Sequence, residues 1–432
     1  MKDSRGHLAA VPIAGARAPS FWEAFRFWLK LGLVSFGGPA AQISIMHQEL
    51  VEKKRWISED RFLFALNYCM LLPGPEAQQL ATYLGWLLHK TTGGLVAGTL
   101  FVLPGAVLLW ALSWTYVLAG HQSWVGRVFY GLKPAVLAIV LCAVLRLGSK
   151  ALKNKWMTGL AGAAFVAIYF LKVPFPFVIL AAVGAGLAAG RGLSAEEAGV
   201  SGSVPLPSLP PVLRVLRTAV LGVVLWMLPL VLAGIFLGTK SVIFQQGVFF
   251  SKAAMLTFGG AYAVLPYVAQ QAVEAFGWLA AAQMFDGLAL AETTPGPLIL
   301  VLEFVGFLGA WNHPAPFSPL LSGTLGALIT VWCTFAPSFV WIFLGAPFIE
   351  RLRGNRLLSG ALSAVSAAVV GVILNLACWF GGGILFPQTG GVDGVALVVS
   401  SSAFLGMVRW KWGVIPVLIG AGVLGVLCKG LL

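Results

Sequence analysis

Thirteen apolar stretches run along this chain, at 25–46, 61–88, 94–118, 128–148, 157–171, 174–190, 213–238, 245–269, 283–309, 318–346, 358–380, 392–408 and 411–431. A hydrocarbon layer about 30 Å thick takes roughly 20 apolar residues per helix, and most of the stretches are of that order. Charge is scarce to match. The 28 Lys+Arg and 15 Asp+Glu make up 10% of the 432 residues, hydrophobic residues make up 59%, and mean hydropathy is +0.90. A soluble domain carries roughly 25% charged residues, which cover its core. The composition excludes a soluble enzyme and a disordered chain, and it predicts an all-α polytopic membrane protein.

The formal net charge of +13 does not point to nucleic acid. The basic residues sit mainly between apolar stretches, where they orient a membrane protein. Residues 1–20 are basic but have no apolar core, so no cleaved signal peptide is expected. No GxxxxGK[ST] string is present, which disfavours an ATP-driven pump. The five cysteines and five histidines show no ligand spacing, and no GxSxG elbow occurs. No metal, cofactor or catalytic residue is expected, and membrane lipids are the expected surroundings.

The chain is duplicated. A shift of 222 residues lays FWLKLGLVSFGGPA over FFSKAAMLTFGGAY, Trp56 over Trp278, and Pro73-Gly74-Pro75 over Pro295-Gly296-Pro297. Fifteen of the 54 residues between 27 and 80 are identical at this shift. Apolar composition produces chance Leu and Ala matches, not Lys, Trp, GG and PGP matches in one register. The organisation predicted is a cytoplasmic N-terminal tail (1–21), a first repeat (22–190), a Pro- and Ser-rich linker with one extra helix (191–244), and a second repeat (245–432). Six segments plus the extra one separate equivalent segments, so the second repeat is expected to be inverted, a recurring plan of secondary transporters.

The breaks lie in apolar surroundings. Gly37-Gly38-Pro39 and Gly74-Pro75 each place Gly before Pro, as does Gly296-Pro297, while Gly259-Gly260 lacks the Pro. Pro disfavours α conformation in the preceding residue and suits the first turn of a new helix. Each break therefore reads as a fresh helix N-terminus, with unpaired N–H groups and about +0.5 charge. Four such ends near the midplane make a cradle for an anion. The alternative is a packing kink filled by a neighbour. The broken segments either span the membrane or turn back as re-entrant hairpins. Turning back moves the basic loop 47–61 to the cytoplasmic side and the Lys/Arg-free loop 270–282 outside, which fits the distribution of positive charge better. The 47–61 stretch itself reads as an interfacial segment anchored by Trp56.

Lys30 and Lys252 each lie seven residues before a GG pair, about two helical turns away. They are candidates for attracting substrate, with snorkelling to the interface as the alternative. Ser35, Thr257 and Thr294 are candidate hydroxyl donors, with Thr293, Asn67, Gln78 and Gln79 as polar companions. Such hydroxyls also bond back to helix carbonyls. Glu76, Glu292 and Glu303 are candidate proton-coupling acids, and Asp286 reads as interfacial.

The strings FGGPAAQISIMHQELVEKKRWISEDRF, LPGPEAQQLATYLGW, LTFGGAYAVLPYV and ETTPGPLILVLEFVGFLG resemble the chromate ion transporter family in its long, two-domain bacterial form. The resemblance covers about 22–190 and 245–430. It implies an inner-membrane exporter of chromate that confers chromate resistance, coupled to protons or membrane potential. The family motifs fall on Gly37, Gly38 and Pro39, on Pro73, Gly74, Pro75 and Glu76, on Gly259 and Gly260, and on Pro295, Gly296 and Pro297. Glu303 departs from the family pattern, which has a neutral polar residue there. Sulfate, a tetrahedral dianion of similar size, remains the alternative substrate, and a homodimer is one assembly that this reading allows.

Overall fold

A computed structural model describes residues 19–70, 72–119, 122–190, 212–258, 260–346, 356–387 and 391–431. The regular elements among them are all helical. The first half holds α1 (Phe21–Val34), α2 (Gly38–His47), α3 (Glu59–Cys69), α4 (Glu76–Ala119), α5 (Ser123–Ala151), α6 (Lys155–Tyr169) and α7 (Phe175–Gly190). The separate helix α8 (Val212–Leu237) follows. The second half holds α9 (Val242–Leu256), α10 (Ala261–Gln270), α11 (Ala281–Thr293), α12 (Val301–Asn312), α13 (Pro319–Gly345), α14 (Arg356–Leu385), α15 (Gly394–Arg409) and α16 (Val414–Leu431). Among the described residues, five helices are long and apolar enough to cross a membrane: α4, α5, α8, α13 and the 360–385 part of α14.

Local sequence sets several helix ends. Ser20 Oγ accepts the Glu23 N–H at 3.2 Å, Asn154 Oδ1 accepts that of Met157 at 2.9 Å, and Asp393 Oδ1 accepts that of Ala396 at 2.9 Å. These side chains satisfy amides that a helix start leaves unpaired. Small residues set the packing. A side chain on Gly131 of α5 would strike the Ala421 carbonyl of α16, and one on Gly371 of α14 would strike the Ala161 carbonyl of α6. Close backbone approach of this kind drives helix association where lipid removes the hydrophobic incentive.

The stretches 25–46 and 61–88 are not single helices, because both turn back. After the break at 35–37, α2 and a short π-helical segment (Gln48–Lys53) return beside α1. Trp56 then meets Phe27 edge-on with ring centroids 5.6 Å apart. The second half repeats the contact between Trp278 and Phe249, also at 5.6 Å. The PGP hairpin behaves alike. The first arm of α4 (76–88) runs outward to His89, whose Nε2 lies 3.1 Å from the Pro19 carbonyl, next to the start of α1. At His89–Lys90 the helix reverses, and a second arm (91–119) crosses the molecule. A Cβ on Gly85 would overlap the Gly93 carbonyl, so only glycine lets the two arms lie this close.

The halves enter from opposite ends of the bundle. The second arm of α4 and α13 run antiparallel: Gly94 packs on Phe343, Gly98 on Phe339, and Trp110 Nε1 donates to Thr324 Oγ1 at 3.1 Å. The arm of α4 starts at the end where α1 begins. Helix α13 starts at the end where the second half begins, marked by Asn312 Nδ2 donating to the Trp278 carbonyl at 2.9 Å. The fold is thus an all-α membrane architecture with inverted halves and re-entrant hairpins. Gly259, most of the expected 191–212 linker and most of the N-terminal tail lie outside the described residues.

Candidate anion site

The four breaks meet at the centre. The Gly74 N–H donates to the Thr257 carbonyl at 2.7 Å, and the Gly296 N–H donates to the Ser35 carbonyl at 2.8 Å. Gly74 and Gly296 are equivalent under the 222-residue shift, as are Ser35 and Thr257. Each PGP apex therefore binds the GG apex of the other half. A reciprocal pair of this kind is the signature of a two-fold relation.

A second reciprocity covers these contacts. A Cβ on Gly74 would lie 2.5 Å from Ser338 Oγ, and one on Gly296 would lie 3.5 Å from Gly105 Cα. Pro104-Gly105 lies in the second arm of α4 and Pro337-Ser338 lies in α13. Each crossing helix thus presents a Pro–small pair to the opposite PGP apex. All five break glycines that the structure describes take positive φ: Gly37 at 87°, Gly38 at 76°, Gly74 at 127°, Gly260 at 92° and Gly296 at 99°. Residues with a Cβ rarely hold such angles.

The helix starts fall at the breaks, within a residue or two of each proline. Gly37, not Gly38, caps α2, and Pro39 is its second residue. Two successive glycines at positive φ make the turn, so the helix begins one residue early. Helix α4 opens at Glu76, directly after Pro75, whose carbonyl accepts the Gln79 N–H at 3.0 Å. After Pro297 a short 3₁₀ turn (Leu298–Leu300) precedes α12. No side chain caps α2, α10 or the 3₁₀ turn. The Ala263 amide bonds back to the Gly260 carbonyl at 3.2 Å and that of Leu300 to the Pro297 carbonyl at 2.9 Å; the amides ahead of them in each start have no acceptor within their own turn.

The hydroxyl protons of three candidates are already engaged. Ser35 Oγ donates to the Leu31 carbonyl at 2.6 Å, Thr257 Oγ1 to Ala253 at 2.7 Å, and Thr294 Oγ1 to Ala291 at 3.0 Å. Ser35 and Thr257 contribute to the centre through their carbonyls. Lys30 and Lys252 are exposed on the outer faces of α1 and α9. Lys30 lines an open basin of about 700 Å³ with Arg26, Lys54, Glu49 and Trp22.

The acids are spread over the centre and the second half. Glu76 is half-buried at the start of α4. Glu292 is buried and accepts the Tyr262 hydroxyl at 2.6 Å. Glu303 is buried in the first turn of α12, and its Oε2 has no hydrogen-bond partner among the described residues. Asp286 is buried within the protein, held by Lys133 Nζ at 3.0 Å and the Tyr116 hydroxyl at 2.9 Å.

Sequence reasoning missed Gln42, Tyr262, Ser338 and the Lys133–Asp286–Tyr116 group. Gln42 Nε2 donates to the Gly296 carbonyl at 2.6 Å and to that of Ser35 at 3.3 Å, tying the two apices together. Gln79 Nε2 donates to the Pro73 carbonyl at 2.8 Å and to Ser338 Oγ at 3.4 Å, tying the first PGP apex to α13. The Oε1 atoms of Gln42, Gln78 and Gln79 are buried without a partner among the described residues. The one signal in the sequence was proximity: Gln42 stands four residues after Gly38, and Lys133 lies inside an apolar stretch beside Pro134.

Inverted halves whose broken helices converge at one central point define a membrane transporter. The chromate transporter family model matches residues 22–187 and again 244–426, and the chain belongs to that family. It is 32% identical to a chromate transport protein of Pseudomonas aeruginosa, over 94% of this chain and 92% of that one. It is 29% identical to a probable chromate transport protein of Synechococcus elongatus, over 96% and 94% of the two chains. A chromate transport protein of Cupriavidus metallidurans is 30% identical over 80% and 79%. No solved structure matches.

Proposed function

We propose that this protein is a secondary active exporter of chromate in the bacterial cytoplasmic membrane, binding the oxyanion where the four breaks meet. The observation that carries the reading is the reciprocal pair Gly74–Thr257 and Gly296–Ser35. It draws together the starts of α2, α4, α10 and the 298–300 turn. Each start offers N–H donors and part of a positive charge, which suits a tetrahedral dianion. The residues proposed for this cradle are Gly37, Gly38, Pro39, Gly74, Pro75, Gly260, Gly296 and Pro297, with the Gly74 and Gly296 amides spent on the Thr257 and Ser35 carbonyls and so holding the apices in place. Lys30 and Lys252 draw the anion towards the two ends.

The repeats at 22–190 and 245–432 rock against each other about the shared apices. In the proposed orientation the N-terminus is cytoplasmic, because Lys53, Lys54, Arg55 and Arg61 crowd the end where the first half enters. Glu76, Glu292 and Glu303 are the proposed proton carriers. Glu292 is already hydrogen-bonded by Tyr262 beside a break.

Chromate and sulfate flux in proteoliposomes, with and without an imposed pH gradient or voltage, tests the reading. Chromate flux that responds to the gradient supports it. Flux of sulfate alone replaces the substrate, and flux of neither anion overturns the proposal.

A further inference from the structure

A dianion at the centre needs more than partial charges, because desolvating two negative charges without a full counter-charge is prohibitive. Lys30 and Lys252 sit on exposed faces. Lys133 does not. It lies in α5, half-buried, next to Pro134. Its neighbour Leu132 lines an apolar groove together with Phe36 and Thr293, which flank a GG break and a PGP break. Lys133 is thus on the stretch of α5 that lines this groove past the breaks. Its ammonium is held by Asp286 Oδ1 at 3.0 Å. Asp286 is eight residues before Thr294 on α11, about 12 Å along the helix at 1.5 Å per residue.

The two partners of this ion pair differ in freedom. Asp286 is fixed, since its other oxygen accepts the Tyr116 hydroxyl at 2.9 Å. Tyr116 is itself wedged edge-on between Phe129 at 5.5 Å and Phe304 at 5.3 Å. Lys133 has a flexible four-carbon stem and three N–H donors, one of them spent on Asp286. An ammonium on a flexible stem beside a fixed carboxylate is suited to exchange one anion for another.

We propose that Lys133 is the full positive charge that meets the transported oxyanion, with the Asp286 carboxylate as its resident counter-ion between transport events. The inference rests on the reading of the central site given above. Substrate takes the place of Asp286 on the ammonium. Asp286 reclaims Lys133 when the anion leaves, so the cation never stands unpaired in a dry interior. The pair joins α5 of the first half to α11 of the second, so the exchange also loosens a tie between the halves.

The test uses the purified full chain, with chromate and sulfate binding, thermal unfolding and proteoliposome flux measured on four forms. Lys133→Met is expected to weaken binding of the transported anion at least tenfold. Asp286→Asn, which frees Lys133, is expected to tighten binding several-fold while slowing turnover. The double variant Lys133→Met/Asp286→Asn removes both charges and is expected to recover wild-type unfolding behaviour while binding as weakly as Lys133→Met. If the double variant recovers binding and flux, the pair is a structural strut and the inference is overturned. A Lys133→Met protein that binds like wild type overturns it too, with the central site intact. A wild-type protein that binds and moves neither anion overturns the site reading, and the inference falls with it.

Discussion

The amide of Gly74 donates to the carbonyl of Thr257 at 2.7 Å, although 182 positions separate them in the chain and they belong to different halves. Its mate, Gly296 to Ser35 at 2.8 Å, repeats the bond with donor and acceptor halves exchanged. Together they form the joint at which the two halves touch through their broken backbones. Any residue but proline could supply such a backbone N–H; what calls for glycine at both donors is φ, +127° at Gly74 and +99° at Gly296.

Gly74→Ala is expected to disable transport and to lower stability. The residue holds φ at +127°, and a Cβ would press within 2.7 Å of both Ser338 Oγ and Gln79 Nε2. Backbone strain of this kind costs on the order of 1–3 kcal/mol. Thermal unfolding in detergent measures the loss. Near-normal unfolding together with normal chromate flux would show that the apex tolerates a side chain.

Gln42→Leu removes the amide that bridges the Gly296 and Ser35 carbonyls. Leaving a buried carbonyl without a donor costs about 1–3 kcal/mol. Flux is expected to fall more than protein abundance does, since the bridge joins the moving halves. Paired measurements of flux and folded protein check this.

Glu292→Gln is expected to uncouple transport from an imposed pH gradient, because the amide cannot carry a proton. Tyr262→Phe, which removes the 2.6 Å hydrogen bond, is expected to move the pH dependence of flux without abolishing it. Flux recorded from pH 5 to 9 distinguishes these outcomes from a purely structural pair, for which both variants would lower flux equally at every pH.

Lys30→Gln is expected to lower chromate flux at low ionic strength and to approach wild type as salt rises. Lys30 shares its open basin with Arg26 and Lys54, and attraction at an exposed site is screened within about 10 Å at 0.1 M salt. A defect that is independent of salt would place the lysine in direct contact with substrate instead.

Cysteines introduced at Ser58 and Ala280 are expected to label from opposite membrane faces. These positions precede α3 and α11, the equivalent helices of the two halves. Labelling from one face alone would contradict the antiparallel crossing of α4 and α13.

The sequence by itself determined the membrane class, the duplication and, to within a residue, where the described breaks fall. Each of these is a one-dimensional property. Apolar run length sets what can enter a bilayer, and Gly-Pro chemistry sets where a helix stops. The excess of basic residues in 47–61 even favoured hairpins that turn back, and the Phe27–Trp56 and Phe249–Trp278 contacts show how they close. Tertiary structure alone decided which atoms face the centre. It turned Lys30 and Lys252 outward, spent the hydroxyl protons of Ser35, Thr257 and Thr294 on their own helices, and drew Gln42 onto Gly296 from 254 residues away. It also set Lys133 against Asp286 across the two halves. The reason is that a helix fixes spacing along its axis, while the direction in which a side chain points depends on the neighbours packed around it. Those neighbours come here from the opposite half of the chain.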